Sequence, residues 1–265
     1  MRFLSRLFRL SKRQKFVVVV FLLTVAFFVS GYFQGATHFL FSLGIAFVSV
    51  ASLYLILRED LKHSFYYPLL ILPFLYTLSF DIFLLLIPAR LIFLLISTLL
   101  FALGLYSLFL TQNIFAVSSI RTISLLRSAR IVSFVITIVV LFFLTNIVFS
   151  LRLPFYIPPF IIGIVVFLLN VQSLWVYLLD KSYVKDIVSY SLPISFAIFQ
   201  LAFVLTLWPV SASIYSIFLT GIFYTYSGLS HAWIEKRLFR GILWEYIWVG
   251  FLSIFILLVF SNWGI

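Results

Sequence analysis

The chain has 265 residues, 65% of them hydrophobic and 9% charged, with 18 Lys+Arg against 7 Asp+Glu, a formal net charge of +11 and no cysteine. Soluble domains carry about a quarter charged residues, so a chain this apolar cannot clothe a water-facing surface. The lack of cysteine excludes disulfides, thiolate metal sites and thiol catalysis.

The first element, residues 1–15 ("MRFLSRLFRLSKRQK"), holds six positive charges. At 100° per residue Phe3, Leu4, Leu7, Phe8 and Leu10 share one face, and Arg2, Arg6, Arg9, Lys12 and Arg13 share the other. That pattern predicts a basic amphipathic segment on a membrane surface. "FFVSGYF" makes a poor cleavage site, so the segment reads as an uncleaved anchor ahead of a transmembrane domain over 16–265.

Apolar runs then follow in series, most near the ~20 residues a span needs. They predict nine spans, at 16–33, 39–57, 65–80, 91–111, 131–150, 158–179, 188–208, 212–231 and 242–261. The third is short and carries Pro68 and Pro73, and residues 81–90 after it are too few to cross again. The expected fold is an all-α polytopic transmembrane helix bundle of about nine spans.

Charge placement predicts orientation. With the N-terminus in the cytoplasm, sixteen of the Lys and Arg residues fall on the inner side and only Arg90 and Arg152 outside. That excess follows the positive-inside tendency and predicts an inner (plasma) membrane protein with its C-terminus outside. Anionic headgroups at the cytoplasmic face are the expected partners, a membrane protein partner is compatible, and nucleic acid is not expected.

Arg121, Arg127 and Arg130 precede the fifth span, and Arg240 precedes the ninth. They first mark cytoplasmic connections, and their guanidinium groups also make them candidates to hold lipid phosphate. A voltage sensor would need arginines at every third position inside a span.

Intramembrane polar groups are costly and therefore candidate sites. Asn146, Asn170, Gln200 and Glu245 are those candidates, with Arg240 a potential partner of Glu245. Asp81 and Arg90 flank the short outer segment and form a candidate outer-face pair. No His-Glu-x-x-His motif exists, and Asp60, Asp81, Asp180 and Asp186 are dispersed. No catalytic residue, metal site or cofactor is therefore assigned. "GLSH" (228–231) sets Ser230 beside His231. Neighbouring helix positions point about 100° apart, so the two read as packing and interface residues.

"NIFAVSSIRTISLLRSARIVSF" (113–134) and "EKRLFRGILWEYIWVG" (235–250) resemble an uncharacterised family of multi-span membrane proteins of small-genome bacteria. The resemblance implies a bacterial inner-membrane protein and transfers no activity and no site residue.

Short matches also suggest an internal duplication. "LGIAF" (43–47) pairs with "IGIVV" (162–166), "SLYLIL" (52–57) with "SLWVYL" (173–178), "SFYYPLLILPF" (64–74) with "SYSLPISFAIF" (189–199), and Gly104–Leu105 with Gly228–Leu229. The offsets drift around a common period. One span plus two parallel halves of four, 39–150 and 158–261, would put a substrate path between the halves, lined by Asn170 and Gln200. The expected function is transporter-like or lipid-handling. The alternatives are a membrane-embedded scaffold or assembly subunit acting through helix contacts, and an intramembrane enzyme of unfamiliar type.

Overall fold

The computed structural model describes residues 11–61, 67–88, 90–118, 125–179 and 184–261. Among them are nine α-helices and no strand: α1 (Lys12–Ser30), α2 (Gly35–Leu61), α3 (Tyr67–Phe83), α4 (Leu91–Ser118), α5 (Leu126–Ser150), α6 (Ile157–Leu178), α7 (Val184–Thr206), α8 (Ala212–Ile234) and α9 (Arg240–Val259). All but α8 are long and apolar enough to cross a membrane. Helices are the natural outcome, since lipid offers backbone N–H and C=O groups no partner and a helix satisfies them within one segment. The chain is a multi-pass membrane protein.

The described residues fall into two compact units, divided after Ile136, inside α5. The expected halves, 39–150 and 158–261, do not coincide with these units.

In the first unit α1 starts at a reciprocal cap. The Ser11 hydroxyl accepts from Gln14 N at 3.4 Å, and Ser11 N donates to Gln14 Oε1 at 3.0 Å. Lys12, Arg13 and Lys15 therefore belong to the first turn of α1, while residues 1–10 of the basic segment lie outside the described residues. Lys12 pairs with Asp60 near the end of α2, at 2.6 Å. Helices α1 and α2 are thus antiparallel, joined by a short turn at the opposite end. Gly35 opens α2 with φ +63°, a left-handed conformation that glycine adopts without steric cost.

Pro73 sits inside α3, where the Thr77 hydroxyl donates to its carbonyl at 2.9 Å. Residues 81–83 complete α3, and Leu84–Leu86 add one 3-10 turn before the chain reverses into α4. Residues 81–86 are therefore an extension of the third helix. Helix α4 packs on α1, α2 and α3. The Tyr76 hydroxyl donates to Phe101 O at 3.1 Å, and Phe27 stacks on Phe101 at 4.4 Å.

In the second unit Pro158 and Pro159 open α6, where a missing N–H is harmless. Helix α8 packs on α6, α7 and α9. It falls outside the apolar set because it carries Ser213, Ser216, Thr220, Thr225, Ser227 and Ser230. At 23 residues it is still about 34 Å long. Its small residues let α9 approach. A Cβ on Gly221 would fall on Ser253, one on Gly228 would fall on Tyr246, and the Thr225 hydroxyl donates to Tyr246 O at 3.1 Å. Close backbone approach of this kind is how helices associate where no hydrophobic effect separates protein from lipid.

Candidate functional site

Both α1 and α3 end at the end of the first unit where α2 begins, and these three elements build one polar centre. Ser30, the last residue of α1, donates its hydroxyl to Phe27 O at 2.6 Å and also to the Asp81 carboxylate. His38, in the first turn of α2, has both ring nitrogens occupied. Nδ1 lies 3.0 Å from Ser30 O, and Nε2 lies 3.0 Å from Asp81 O. The Asp81 Oδ2 atom is 3.9 Å from His38 Nε2 and has no hydrogen-bond partner. One turn further along α2, Ser42 donates to His38 O at 2.9 Å. Ser30, His38, Ser42 and Asp81 are all fully buried.

Above this centre lies a cavity of about 560 Å³ between the α1–α2 turn and the α3–α4 connection. Leu84, Ile87, Leu91, Phe93 and Leu94 form apolar walls, and His38, Gln34 and Arg90 bring polar groups to it. The volume lies within the range of small-molecule sites, about 300–1,000 Å³. Gly31 narrows the space: a Cβ there would come within 2.6 Å of Leu94 Cδ1.

The centre cannot act as a nucleophile–base–acid triad. Such a triad needs a ring nitrogen free to take the nucleophile's proton, and here both nitrogens face carbonyl oxygens while the serine donates to the carboxylate. Among the described residues no three His, Cys, Asp or Glu side chains gather closely enough to hold a metal ion.

Of the candidates read from the sequence, Asp81 and Arg90 lie at this site. Arg90 stands exposed at the rim of the cavity, whereas Asp81 is buried and its carboxylate engages Ser30 and lies 3.9 Å from His38 Nε2. Arg127 is exposed and Arg130 half-buried in the first turns of α5, Arg240 is exposed at the start of α9, and Arg121 lies outside the described residues. Asn146 is buried on α5. Asn170 on α6 is fully buried and accepts from the Ser227 hydroxyl at 2.8 Å, leaving its Nδ2 without a partner. In the same unit Ser173 Oγ lies 2.9 Å from His231 Nε2, and the Tyr177 ring stacks on His231 at 4.1 Å. His231 therefore is a packing residue, but its companion is Ser173 and not the adjacent Ser230, whose hydroxyl donates to Tyr226 O.

Gln200 is exposed on α7, whereas Asn170 is buried on α6, and Glu245 is exposed on α9. One physical reason covers these placements. When the surroundings of a helix are as apolar as its core-facing side, the sequence pattern does not reveal which side turns inward.

Ser30, His38 and Ser42 were missed, although the spacing of His38 and Ser42 (i, i+4) and the shared membrane side of residues 30–38 and 81–90 were available signals. Gln112 was missed because α4 runs seven residues beyond the predicted span end. Its amide is fully buried with neither polar atom hydrogen-bonded.

No curated protein and no solved structure matches the chain. Residues 36–260, which include His38, Asp81 and Arg90, match the sequence pattern of one family, and on that match the chain belongs to the family described as protein of unknown function (DUF5656).

Proposed function

We propose that this protein is a lipid-handling protein, and that the cavity beside His38 takes an anionic amphiphile. The observation that supports it most is the make-up of the cavity: apolar walls of Leu84, Ile87, Leu91, Phe93 and Leu94 with one exposed guanidinium, Arg90, at the rim. Apolar walls suit an acyl or prenyl chain, and an arginine fork suits a phosphate or carboxylate head. On the charge partition of the sequence this end of the first unit faces the outer side of the membrane, where few other cations compete for an anionic head.

The test is native mass spectrometry of the full chain purified in a mild detergent. Wild type should retain an anionic lipid, Arg90→Ala should lose most of it, and Arg90→Lys should retain less than wild type because lysine lacks the bidentate fork. Equal retention by all three would overturn the reading.

A second reading, a scaffold for another membrane protein, has one observation in its favour. Gln200 sits on an exposed face well inside α7, and an amide facing hydrocarbon gains by meeting a polar partner. Crosslinking from position 200 in whole membranes would reveal that partner.

A further inference from the structure

We propose that two copies of this chain pair through the exposed face of α7, with Gln200 of each copy hydrogen-bonded to Gln200 of the other. The proposal does not depend on lipid handling. From the scaffold reading it takes only the exposed amide, and it names as the partner a second copy of the chain.

Helix α7 has two distinct faces. Ile187, Ser191, Ser195, Ile198, Ala202 and Leu205 are buried, on the side where α6 and α8 pack. Ser189, Pro193, Phe196, Gln200, Phe203 and Leu207 are exposed and run along the opposite side. Successive members of this exposed stripe are 4, 3, 4, 3 and 4 residues apart. That alternation is the a/d pattern of a heptad, which keeps one seam of a helix facing a partner helix along its length. Pro193, Gln200 and Leu207 take the a positions, and Ser189, Phe196 and Phe203 take the d positions. A single polar residue at an a position is the device that fixes register and the number of helices in such a seam.

The seam also has polar needs that lipid does not meet. Helix α7 has 23 residues, about 34 Å, and Gln200 lies about 9 Å inside its end. Acyl chains offer its amide no hydrogen bond. Pro193 sits inside the helix and brings no N–H, so the carbonyl of Ser189 lacks its usual helical donor. Ser189 and Gln200 are thus two polar points on one seam, about three turns apart.

A second copy meets these needs by symmetry. Copies of one chain carry the same charge bias and insert in one orientation. They therefore pair about a twofold axis along the membrane normal, and each residue beside that axis meets its own counterpart at its own depth. A carboxamide has two N–H donors and an acceptor oxygen, so it is its own complement, each side chain donating to the other's oxygen. A different protein would need a polar group at this same depth.

Two measurements on the full chain test the pairing. The chain has no cysteine, so a disulfide from one introduced thiol always joins it to another molecule. Phe196→Cys and Phe203→Cys flank Gln200 and leave the amide in place. Oxidation in native membranes should give a product of twice the chain's mass with either, and none with Phe255→Cys, which is exposed on α9. A different protein in the crosslinked product, a chain that stays single, or equal doubling from Phe255→Cys would overturn the proposal.

The second measurement is energy transfer between donor-labelled and acceptor-labelled chains in phosphatidylcholine vesicles, followed as lipid is added. Gln200→Leu should weaken pairing about tenfold, the worth of one or two interhelical hydrogen bonds. Gln200→Asn, which keeps the amide, should lose much less. Position 200 points away from α6, so neither change disturbs the buried face of α7. Pairing unaltered by Gln200→Leu, or weakened equally by Gln200→Asn, would refute the role of the amide.

Discussion

Replacing Gly104 by alanine should destabilise the first unit by about 1–3 kcal/mol, and a change at Tyr76 should relieve part of that loss. A Cβ built on Gly104 falls inside the van der Waals surface of the Tyr76 hydroxyl, with Cζ at 2.9 Å and Cε2 at 3.2 Å. Comfortable carbon contacts lie near ~3.5–4.0 Å, so the ring must withdraw. Tyr76 is 2% exposed, packs against Phe80 and Phe101 at 4.9 and 5.8 Å between centroids, and donates to Phe101 O at 3.1 Å. Withdrawal breaks that hydrogen bond, at about 1 kcal/mol, and overpacks the neighbours, at about 1–3 kcal/mol. Alanine's helix preference over glycine returns up to ~1 kcal/mol.

The assay is thermal denaturation in detergent followed by size-exclusion chromatography. A central loss of about 2 kcal/mol lowers Tm by roughly 4–8 °C at this chain length. Tyr76→Phe alone should lose about 1 kcal/mol, the worth of its hydrogen bond. The double variant should lose about 1 kcal/mol less than the sum of the singles, because the nearest clashing atom is gone. An unchanged Tm for Gly104→Ala, or strict additivity with Tyr76→Phe, would refute the reasoning.

Three other outcomes can be measured on the same protein. Gln112→Leu should raise stability by about 1–3 kcal/mol, because it removes a buried amide that makes no hydrogen bond; a marked drop in Tm would show that the amide is used. Asp81→Ala should cost about 1–3 kcal/mol, because it removes the carboxyl oxygen that accepts from the buried Ser30 hydroxyl, and Asp81→Asn, whose amide oxygen still accepts, should cost less; stability equal to wild type in Asp81→Ala would contradict the buried contact. A reporter active only outside the cytoplasm should be silent when fused at Ser124 and active after Ile265, and activity at Ser124 would reverse the proposed orientation.

The matches that suggest duplication take on unequal roles in the fold. Helix α2 packs on α3, and α4 on both, as α6 packs on α7, and α8 on both. Gly104, however, makes room for Tyr76 of the preceding helix α3, whereas Gly228 makes room for Tyr246 of the following helix α9. Pro68 lies at the start of α3 and Pro193 well inside α7. The two sets of three helices share this packing order, and the surroundings of the matched glycines and prolines differ.

Composition and run length alone determined that this chain is helical, that its solvent is lipid, and roughly where each helix begins and ends. The cap at Ser11, the prolines of α6 and the reversal near Arg90 are local signals, and local backbone chemistry answers them directly. The sequence also put residues 30–38 and 81–90 at one end of the bundle. It could not rotate the helices. In water, the polar side of a helix marks solvent. Here Phe21, Leu40 and Leu99 face outward while Phe27, Leu53 and Phe109 face inward, and no polarity contrast separates them. Only tertiary packing decided that His38 and Gln112 point into the protein while Gln200 and Glu245 point out. The reason is that interhelical fit, from small residues and paired polar groups, chooses the inward face once both faces are apolar.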